Sequence, residues 1–314
     1  MVQVTPGDKF TAGIAAAATA AAKAEVTIIV AGMSETQEGE GHDRTDIELP
    51  GAQAQLISSV TKAAKGKVIL VVMSGGPVDI SAAKADPKVG AILIVGYPGQ
   101  SGGLAIAETI FGDNNPGGKL TQTWYRANFV DQCHMTDMNM RPETKPHFPG
   151  WPICPGRTYR FFKGDPVYKF GAGMSYTTFA HTVASTTLAA GEVVEEVVLP
   201  VAELKAHIEQ TRHRPHTAPV VLTVHVDVAN TGERDGDEVL LGYAVPTHAG
   251  QAGAPLRSLR RYERVHVAAG AVQRVALGFT AHDLALVSER GEAEVGEGRW
   301  TLEVGQAAVA VGLV

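Results

Sequence analysis

The fold is decided by two adjacent stretches, the apolar run VTIIVAG at residues 26–32 and the acidic, glycine-broken segment ETQEGEGHDR at residues 35–44. The apolar run is typical of a β-strand that is buried on both faces. The acidic segment then lies at the carboxyl end of that strand, which is where open α/β sheets bind their ligands. Glycines there allow the backbone to approach a ligand closely, and neighbouring carboxylates hold their protons more tightly, as a general acid requires. Composition alone, however, favours a solvated surface turn, because acidic loops that contain glycine are common on protein surfaces.

The first half of the chain repeats this strand and helix alternation. Further apolar runs occupy residues 67–73 and 89–96, and helical patterns occupy residues 11–24, 52–64, 80–84 and 104–111. Apolar strands that alternate with helices predict a parallel sheet that is covered on both faces. The series opens with a helix, whereas a complete doubly wound domain begins with a strand.

The second half has a different pattern. Residues 220–228 alternate apolar and polar side chains, and similar short runs, each bounded by glycine or a polar turn, occupy residues 237–245, 260–267, 273–280 and 299–304. Such strands predict a β-sandwich. We therefore predict an α/β domain over residues 1–178, with a partial parallel sheet, and an all-β sandwich over residues 179–314. Residues 189–218 are predicted to be a flexible insertion.

Bulk composition excludes several classes of function. The 314 residues carry a net charge of −6 without a long basic block, which argues against nucleic acid as a partner. No apolar run has the length of a membrane span, and the first residues lack the pattern of a signal peptide. The two cysteines, Cys133 and Cys154, either pair or remain free thiols. Neither zinc-ligand spacing nor a phosphate-binding fingerprint occurs, so we predict no metal and no cofactor, and a nucleotide-binding module is disfavoured.

Several motifs, in order, resemble glycoside hydrolase family 3. The segment GEGHDR at residues 39–44, followed by LPG at residues 49–51, resembles the acid/base loop of that family, and the doubled glutamate is similar to its β-xylosidase branch. Further along, DNNPGGKL at residues 113–120, PGRTYRFF at residues 155–162 and FGAGMSYTTF at residues 170–179 resemble segments of the same enzymes. The NTG and GDEV motifs at residues 230–239 resemble the fibronectin-type-III-like domain that closes many family members.

The resemblance implies retaining hydrolysis of terminal β-linked xylose or glucose from xylan-type oligosaccharides, with Glu40 as the general acid/base and Glu38 as the runner-up. Asp43 and Arg44 are expected to form an ion pair that shapes the loop. An arginine beside a carboxylate lowers its pKa, so Arg44 directed at Glu40 would oppose the acid role. The resemblance implies an extracellular location, although no signal peptide is predicted in this chain.

The resemblance covers nearly all of this chain but only the back half of a family enzyme. The family's nucleophile is an aspartate on an amino-terminal (β/α) barrel, and no aspartate here lies in a matching motif. The alternative is therefore a non-catalytic remnant or a carbohydrate-contacting structural protein. We expect apolar surface where the barrel would lie, covered by a partner chain or by self-association.

Overall fold

The computed structural model describes residues 13–41 and 43–314, so residues 1–12 and His42 lie outside the described part. The chain divides into two compact units. One contains the described residues up to Asp113, together with Leu120–Thr158 and Phe162–Phe170; the other contains Asn114–Lys119, Tyr159–Phe161 and Gly171–Val314.

The first unit is built on a three-stranded parallel sheet. Its strands are β1 (Thr27–Gly32), β2 (Val68–Met73) and β3 (Val89–Ile94), in the order β1-β2-β3. Between and beside them lie α1 (Ile14–Ala21), α2 (Gln53–Ala63), α3 (Ser81–Ala85) and α4 (Gly102–Phe111). A long irregular segment follows α4 and contains one 3₁₀ turn, Ala127–Phe129. The parallel α/β arrangement expected from the sequence is confirmed.

One face of this sheet carries the core of the unit. Because successive side chains point to opposite faces of a strand, Ile29 and Ala31 of β1 share a face with each other, and both are buried. They belong to a cluster with Ile57 and Val60, which lie three residues apart on one side of α2. The apolar spacing of α2 is therefore what attaches the helix to the sheet.

The opposite face of β1 is exposed, so the prediction of a sheet covered on both faces fails at this edge strand. It holds at β2, where Val71, the partner of Val30, is 0% exposed. Ile28 and Val30 alternate with the buried pair and are 46% and 60% exposed. In the described part of the chain, the apolar positions of α1 and α2 join the cluster of Ile29 and Ala31. A strand at the edge of the sheet therefore keeps apolar side chains in solvent, in agreement with the expectation that this α/β domain is partial.

The irregular segment of this unit is closed by a disulfide between Cys133 and Cys154, which resolves the two alternatives left open by the sequence. Both cysteines are fully buried in a small cluster with Ile47 and Phe129. A crosslink in a stretch with little secondary structure restricts the unfolded chain and so stabilises the segment.

The second unit is an antiparallel sandwich, as predicted. One sheet has the order β10-β7-β4-β5 and the other has the order β6-β14-β13-β8-β9. The strands are β4 (Phe179–Leu188), β5 (Val193–Val194), β6 (Val197–Leu199), β7 (Val220–Asn230), β8 (Gly236–Val245), β9 (Ser258–Val267), β10 (Val272–Thr280), β11 (Leu286–Val287), β12 (Ala293–Glu294), β13 (Gly298–Val304) and β14 (Ala307–Leu313). Short helices occur at α5 (Thr158–Phe161) and α6 (Val201–Gln210), and 3₁₀ turns at Pro215–Thr217 and Ala281–Leu284.

The prediction of a flexible insertion over residues 189–218 differs from the structure. Strand β6 pairs in parallel with β14, and α6 buries Val201, Leu204 and Ile208 in the main core of the sandwich. The three buried positions follow a helical spacing. Glu203 and Lys205, which lie between them in the sequence, are on the exposed side of this amphipathic helix. The segment is therefore an integral part of the second unit.

The sandwich core is formed by inward-facing residues of both sheets. Val224, Val226 and Val228 of β7 are fully buried at every second position, together with Leu240 and Leu302 of the facing sheet. This period of two is the one that the sequence displayed. Within the described residues, no helix is both long enough and apolar enough to cross a membrane.

Truncation of α6 tests its place in the core. We expect Leu204→Ala to lower the free energy of unfolding by about 2–5 kcal/mol, because the change leaves a cavity beside a fully buried side chain. Lys205→Ala, at the adjacent exposed position, should stay within about 0.5 kcal/mol of the parent. Chemical denaturation of the three proteins measures both values. Equal midpoints for Leu204→Ala and the parent would show that α6 is not part of the core.

Candidate functional site

The acidic segment begins where β1 ends, at a close approach between two backbones. Gly32 has φ +143°, and a Cβ atom at this position would lie 1.8 Å from the carbonyl oxygen of Met73. Only glycine fits there. The side chain of Gln53 binds the Gly32 peptide on both sides, since its Oε1 accepts from the Gly32 N–H at 2.7 Å and its Nε2 donates to the Gly32 oxygen at 2.7 Å. The first residue of α2 therefore fixes the direction in which the chain leaves the sheet.

A tight turn comes next and carries the first of the two candidate glutamates. The amides of Gln37 and Glu38 donate to the Ser34 carbonyl at 2.9 and 3.1 Å, while the Gln37 side chain accepts from the Ser34 amide at 3.0 Å. These bonds hold the backbone up to Glu38 in one conformation. The Glu38 side chain therefore lies at the edge of the sheet that is formed by the carboxyl ends of the strands.

Glu38 lies near the carboxyl ends of β2 and β3. A Cβ atom at Gly75, just after β2, would lie 2.7 Å from Glu38 Oε1 and 2.8 Å from a ring carbon of Tyr97, which follows β3. Gly75 thus leaves the space in which the carboxylate and the phenol ring sit. The carboxyl ends of all three parallel strands contribute to this position, as expected for a ligand site in an α/β sheet.

Glu40 occupies a different environment two residues later. It is exposed and stands between Gly39 and Gly41, and Gly41 has φ +76°. Glu38 is half-buried by comparison. The structure therefore separates the two candidates that the sequence left adjacent: Glu38 faces the strand ends, and Glu40 lies on the surface of the loop. The assignment of Glu40 as acid/base remains a prediction.

Arg44 shapes the loop, but through partners other than the one expected. The predicted ion pair with Asp43 is wrong, because the Arg44 guanidinium pairs with Asp46 at 2.8 Å and also donates to the Glu48 carbonyl and to the sulfur of Met33. Asp43 is exposed. Asp46 lies on the same side of the loop as the Glu48 carbonyl, and its Oδ1 also accepts from the Glu48 amide at 2.9 Å. Arg44 thus connects Met33, at the end of β1, to Asp46 and Glu48, which lie later in the loop.

Asp79 is a supporting residue that the sequence did not single out. Its backbone N–H donates to the Ile47 carbonyl at 2.7 Å, and its carboxylate accepts from the amides of Ser81 and Ala127 at 2.8 and 2.7 Å. Burial opposes ionisation of this carboxyl, but the hydrogen bonds from Ser81 and Ala127 outweigh it and lower the pKa of Asp79. The available signal was an aspartate two residues before the short helix α3, because aspartate side chains often accept from the backbone amide two residues on.

Comparison with protein families agrees with this arrangement. The model of the "Glycosyl hydrolase family 3 C-terminal domain" matches residues 4–176, which include the sheet, the acidic loop and the disulfide-closed segment. A fibronectin type III-like domain matches residues 238–312 of the sandwich. The chain belongs to glycosyl hydrolase family 3.

Two curated relatives within the family are β-xylosidases. The chain is 41% identical to Beta-D-xylosidase 1 of Arabidopsis thaliana over 298 residues, which cover 93% of this chain and 38% of that protein. It is 36% identical over 290 residues to exo-1,4-beta-xylosidase xlnD of Aspergillus awamori, covering 90% of this chain and 34% of that protein. The chain therefore spans little more than a third of the length of these curated relatives.

A solved structure extends the similarity to three dimensions. A family 3 exo-β-xylosidase, XlnD, in complex with a xylobiose aziridine activity-based probe superposes with a TM-score of 0.84 at 31% identity. The match covers 99% of this chain and 39% of that one. Both units of this chain thus have counterparts in a single family member.

The Asp79 contacts predict a dependence of stability on acid. Because the pKa of Asp79 is lowered in the folded chain, its stabilising contribution is present above the ordinary carboxyl value of 3.8 and is lost as the pH falls below it. We expect Asp79→Asn to lower the melting temperature near neutral pH and to converge with the parent as the medium becomes acidic. Asp113→Asn, at an exposed position, serves as the matched control. A melting-temperature difference that does not change with pH would contradict this role.

Proposed function

We propose that this chain supplies the general acid/base, Glu40, for retaining hydrolysis of terminal β-linked xylose or glucose in xylan-type oligosaccharides. A retaining glycosidase needs one carboxyl group that protonates the leaving oxygen and then activates water. It also needs a nucleophilic carboxylate about 5–5.5 Å away. The proposal assigns that nucleophile to the portion of the longer family enzymes that has no counterpart in these 314 residues.

The observation that carries the proposal is the position of the acidic loop at the shared edge of three parallel strands. Gly75 and Tyr97 bring the ends of β2 and β3 to Glu38, two residues before Glu40. Exposure of Glu40 suits a group that meets a substrate from outside this unit. The engagement of Arg44 by Asp46, Met33 and Glu48 supports the acid role as well, because it directs that guanidinium into the loop framework.

Glu38 has a supporting role in this proposal. Its half-buried carboxylate lies against the backbone of Gly75, so it positions the loop that presents Glu40. The runner-up assignment exchanges these roles, with Glu38 as the acid/base. Two matched glutamine variants therefore distinguish them.

The test measures hydrolysis of an aryl β-xyloside by the chain together with the amino-terminal portion of Beta-D-xylosidase 1, supplied as a separate polypeptide. We expect Glu40→Gln to lower turnover by about 10²–10⁴-fold, the usual contribution of general acid/base catalysis. With an activated aryl leaving group, added azide should restore turnover of this variant and yield a xylosyl azide, because a small anion replaces the activated water. Glu38→Gln should lose activity without azide rescue.

Each contrary result selects another assignment. Azide rescue of Glu38→Gln, and not of Glu40→Gln, would move the acid/base role to Glu38. Absence of hydrolysis with the complementing polypeptide, while that polypeptide binds, would favour the non-catalytic, carbohydrate-contacting alternative. Hydrolysis by the chain alone would place a nucleophile within these residues and overturn the proposed division of roles.

We also propose that the exposed face of β1 in the first unit packs against the same amino-terminal portion of the family. Ile28 and Val30 present uncharged apolar side chains in an edge strand, an arrangement that soluble proteins usually cover. Nearly two thirds of the length of such a relative lies outside the part that matches this chain. The unmatched part is available to cover this face.

An acidic substitution tests this contact. We expect Val30→Asp to weaken co-elution with the amino-terminal portion of Beta-D-xylosidase 1 by at least about tenfold in affinity, since a charge would be buried in an apolar contact. Val272→Asp is the matched control, because Val272 is also 60% exposed but lies in the sandwich. Equal binding by the two variants would exclude this face. Concentration-dependent self-association that only Val30→Asp abolishes would replace the proposed partner with a second copy of the chain.

A further inference from the structure

In the disulfide-closed segment of the first unit, a buried carboxylate lies beside the two sulfur atoms of the disulfide. Crosslinking of the segment does not by itself explain this carboxylate. Cys133 and Cys154 are both fully buried, and Asp137 beside them is only 3% exposed. The two sulfur atoms and a carboxylate oxygen of Asp137 all lie within 4.8 Å of one another. A carboxylate is an unusual neighbour for a buried disulfide, because a disulfide has no hydrogen to donate to it.

The carboxylate of Asp137 is only half satisfied. One oxygen, Oδ1, accepts from the Asn139 amide at 2.9 Å. The other, Oδ2, is buried, and no donor among the described residues reaches it. Buried acceptors in native proteins nearly always have a partner, so Asp137 Oδ2 has the capacity to bind one more group.

The backbone holds all three side chains at this position. The Cys133 amide donates to the Phe129 carbonyl, the Asp137 amide to the His134 carbonyl and the Glu143 amide to the Cys154 carbonyl, each at 2.9 Å. These hydrogen bonds do not involve the sulfur atoms. The three side chains are therefore expected to stay together when the disulfide is opened.

We propose that, when the disulfide is reduced, Cys133, Cys154 and Asp137 bind a zinc ion. A dithiol reductant transfers two electrons and two protons to the disulfide, which becomes two thiols while the reductant becomes a disulfide. Zinc binding then releases the two thiol protons and leaves two thiolates and one carboxylate as ligands. The segment is thus crosslinked in two ways, by the disulfide in the oxidised form and by the zinc ion in the reduced form. The inference is independent of the proposed hydrolytic function.

The chemistry of the ligand set favours zinc over the hard cations. Thiolates select soft or borderline ions, whereas calcium and magnesium require oxygen ligands. Two sulfurs and one carboxylate oxygen supply three positions of a tetrahedral zinc site, and water fills the fourth. The metal also supplies the missing partner of Asp137 Oδ2. Its two positive charges offset two of the three negative charges that reduction and ionisation would otherwise leave buried.

The test is a titration of the reduced chain with zinc ion in competition with a chromogenic chelator. The chain is reduced with a phosphine, which takes oxygen from water as it converts the disulfide to two thiols, and the phosphine is removed without air. We expect one zinc ion per chain in the reduced form and none in the oxidised form. Cobalt ion, as a spectroscopic substitute, should show sulfur-to-metal charge-transfer absorption and the visible bands of a tetrahedral site.

Matched variants separate this site from binding by unfolded cysteines. Asp137→Ala should weaken zinc binding by more than about tenfold, at least the loss that removal of an outer-shell partner causes. Asp131→Ala, at an exposed position in the same segment, should not change it. Near-ultraviolet circular dichroism confirms that each reduced protein is folded before metal is added. Affinity that is unchanged in Asp137→Ala, or zinc binding by the folded Cys133→Ser/Cys154→Ser variant equal to the parent, would overturn the proposal.

Discussion

The first unit depends on the contact between Gly32 and the backbone of β2. At this point β1 ends, the chain turns with a φ that favours glycine, and no side chain fits between Gly32 and the Met73 carbonyl. The amide of Met33 donates to that same carbonyl at 2.8 Å, so the ladder continues one residue beyond the constriction. Gln53 then fixes the Gly32 peptide from α2. The acidic loop consequently leaves the sheet at a defined place and in a defined direction.

The two candidate glutamates have different environments because the chain turns sharply just beyond this contact. The turn at Ser34 directs Glu38 toward Gly75 and Tyr97, while the glycines on both sides of Glu40 carry that residue onto the exposed surface of the loop. Arg44 closes the loop through Asp46 and the Glu48 carbonyl. The contacts that shape the loop thus all come from the first unit. The proposed hydrolysis, in contrast, needs a second carboxylate from outside this unit.

The predictions from sequence succeeded where one local pattern determined one structure. The apolar runs of β1, β2 and β3 and the alternating valines of β7 were located to within about two residues, because a continuous apolar run or a strict alternation is a local mark of a strand. The prediction failed over residues 189–218, where charged residues obscured the helical spacing of Val201, Leu204 and Ile208. Strands β4 and β14 were also missed. The apolar residues of β4 are interrupted by polar ones and those of β14 by alanine and glycine, and both strands are defined by pairing with other strands.

The sequence by itself determined the two fold classes and the family, and it narrowed the predicted acid/base to two glutamates, Glu38 and Glu40. These properties follow from periodicity and from short motifs, which are local. Only the tertiary structure decided that Cys133 and Cys154 pair, that Arg44 binds Asp46 rather than its neighbour Asp43, that one face of β1 is open, and that Asp137 lies beside the disulfide. Each of these depends on which residues meet after folding, because distances in space between separated segments are set by packing and not by spacing along the chain.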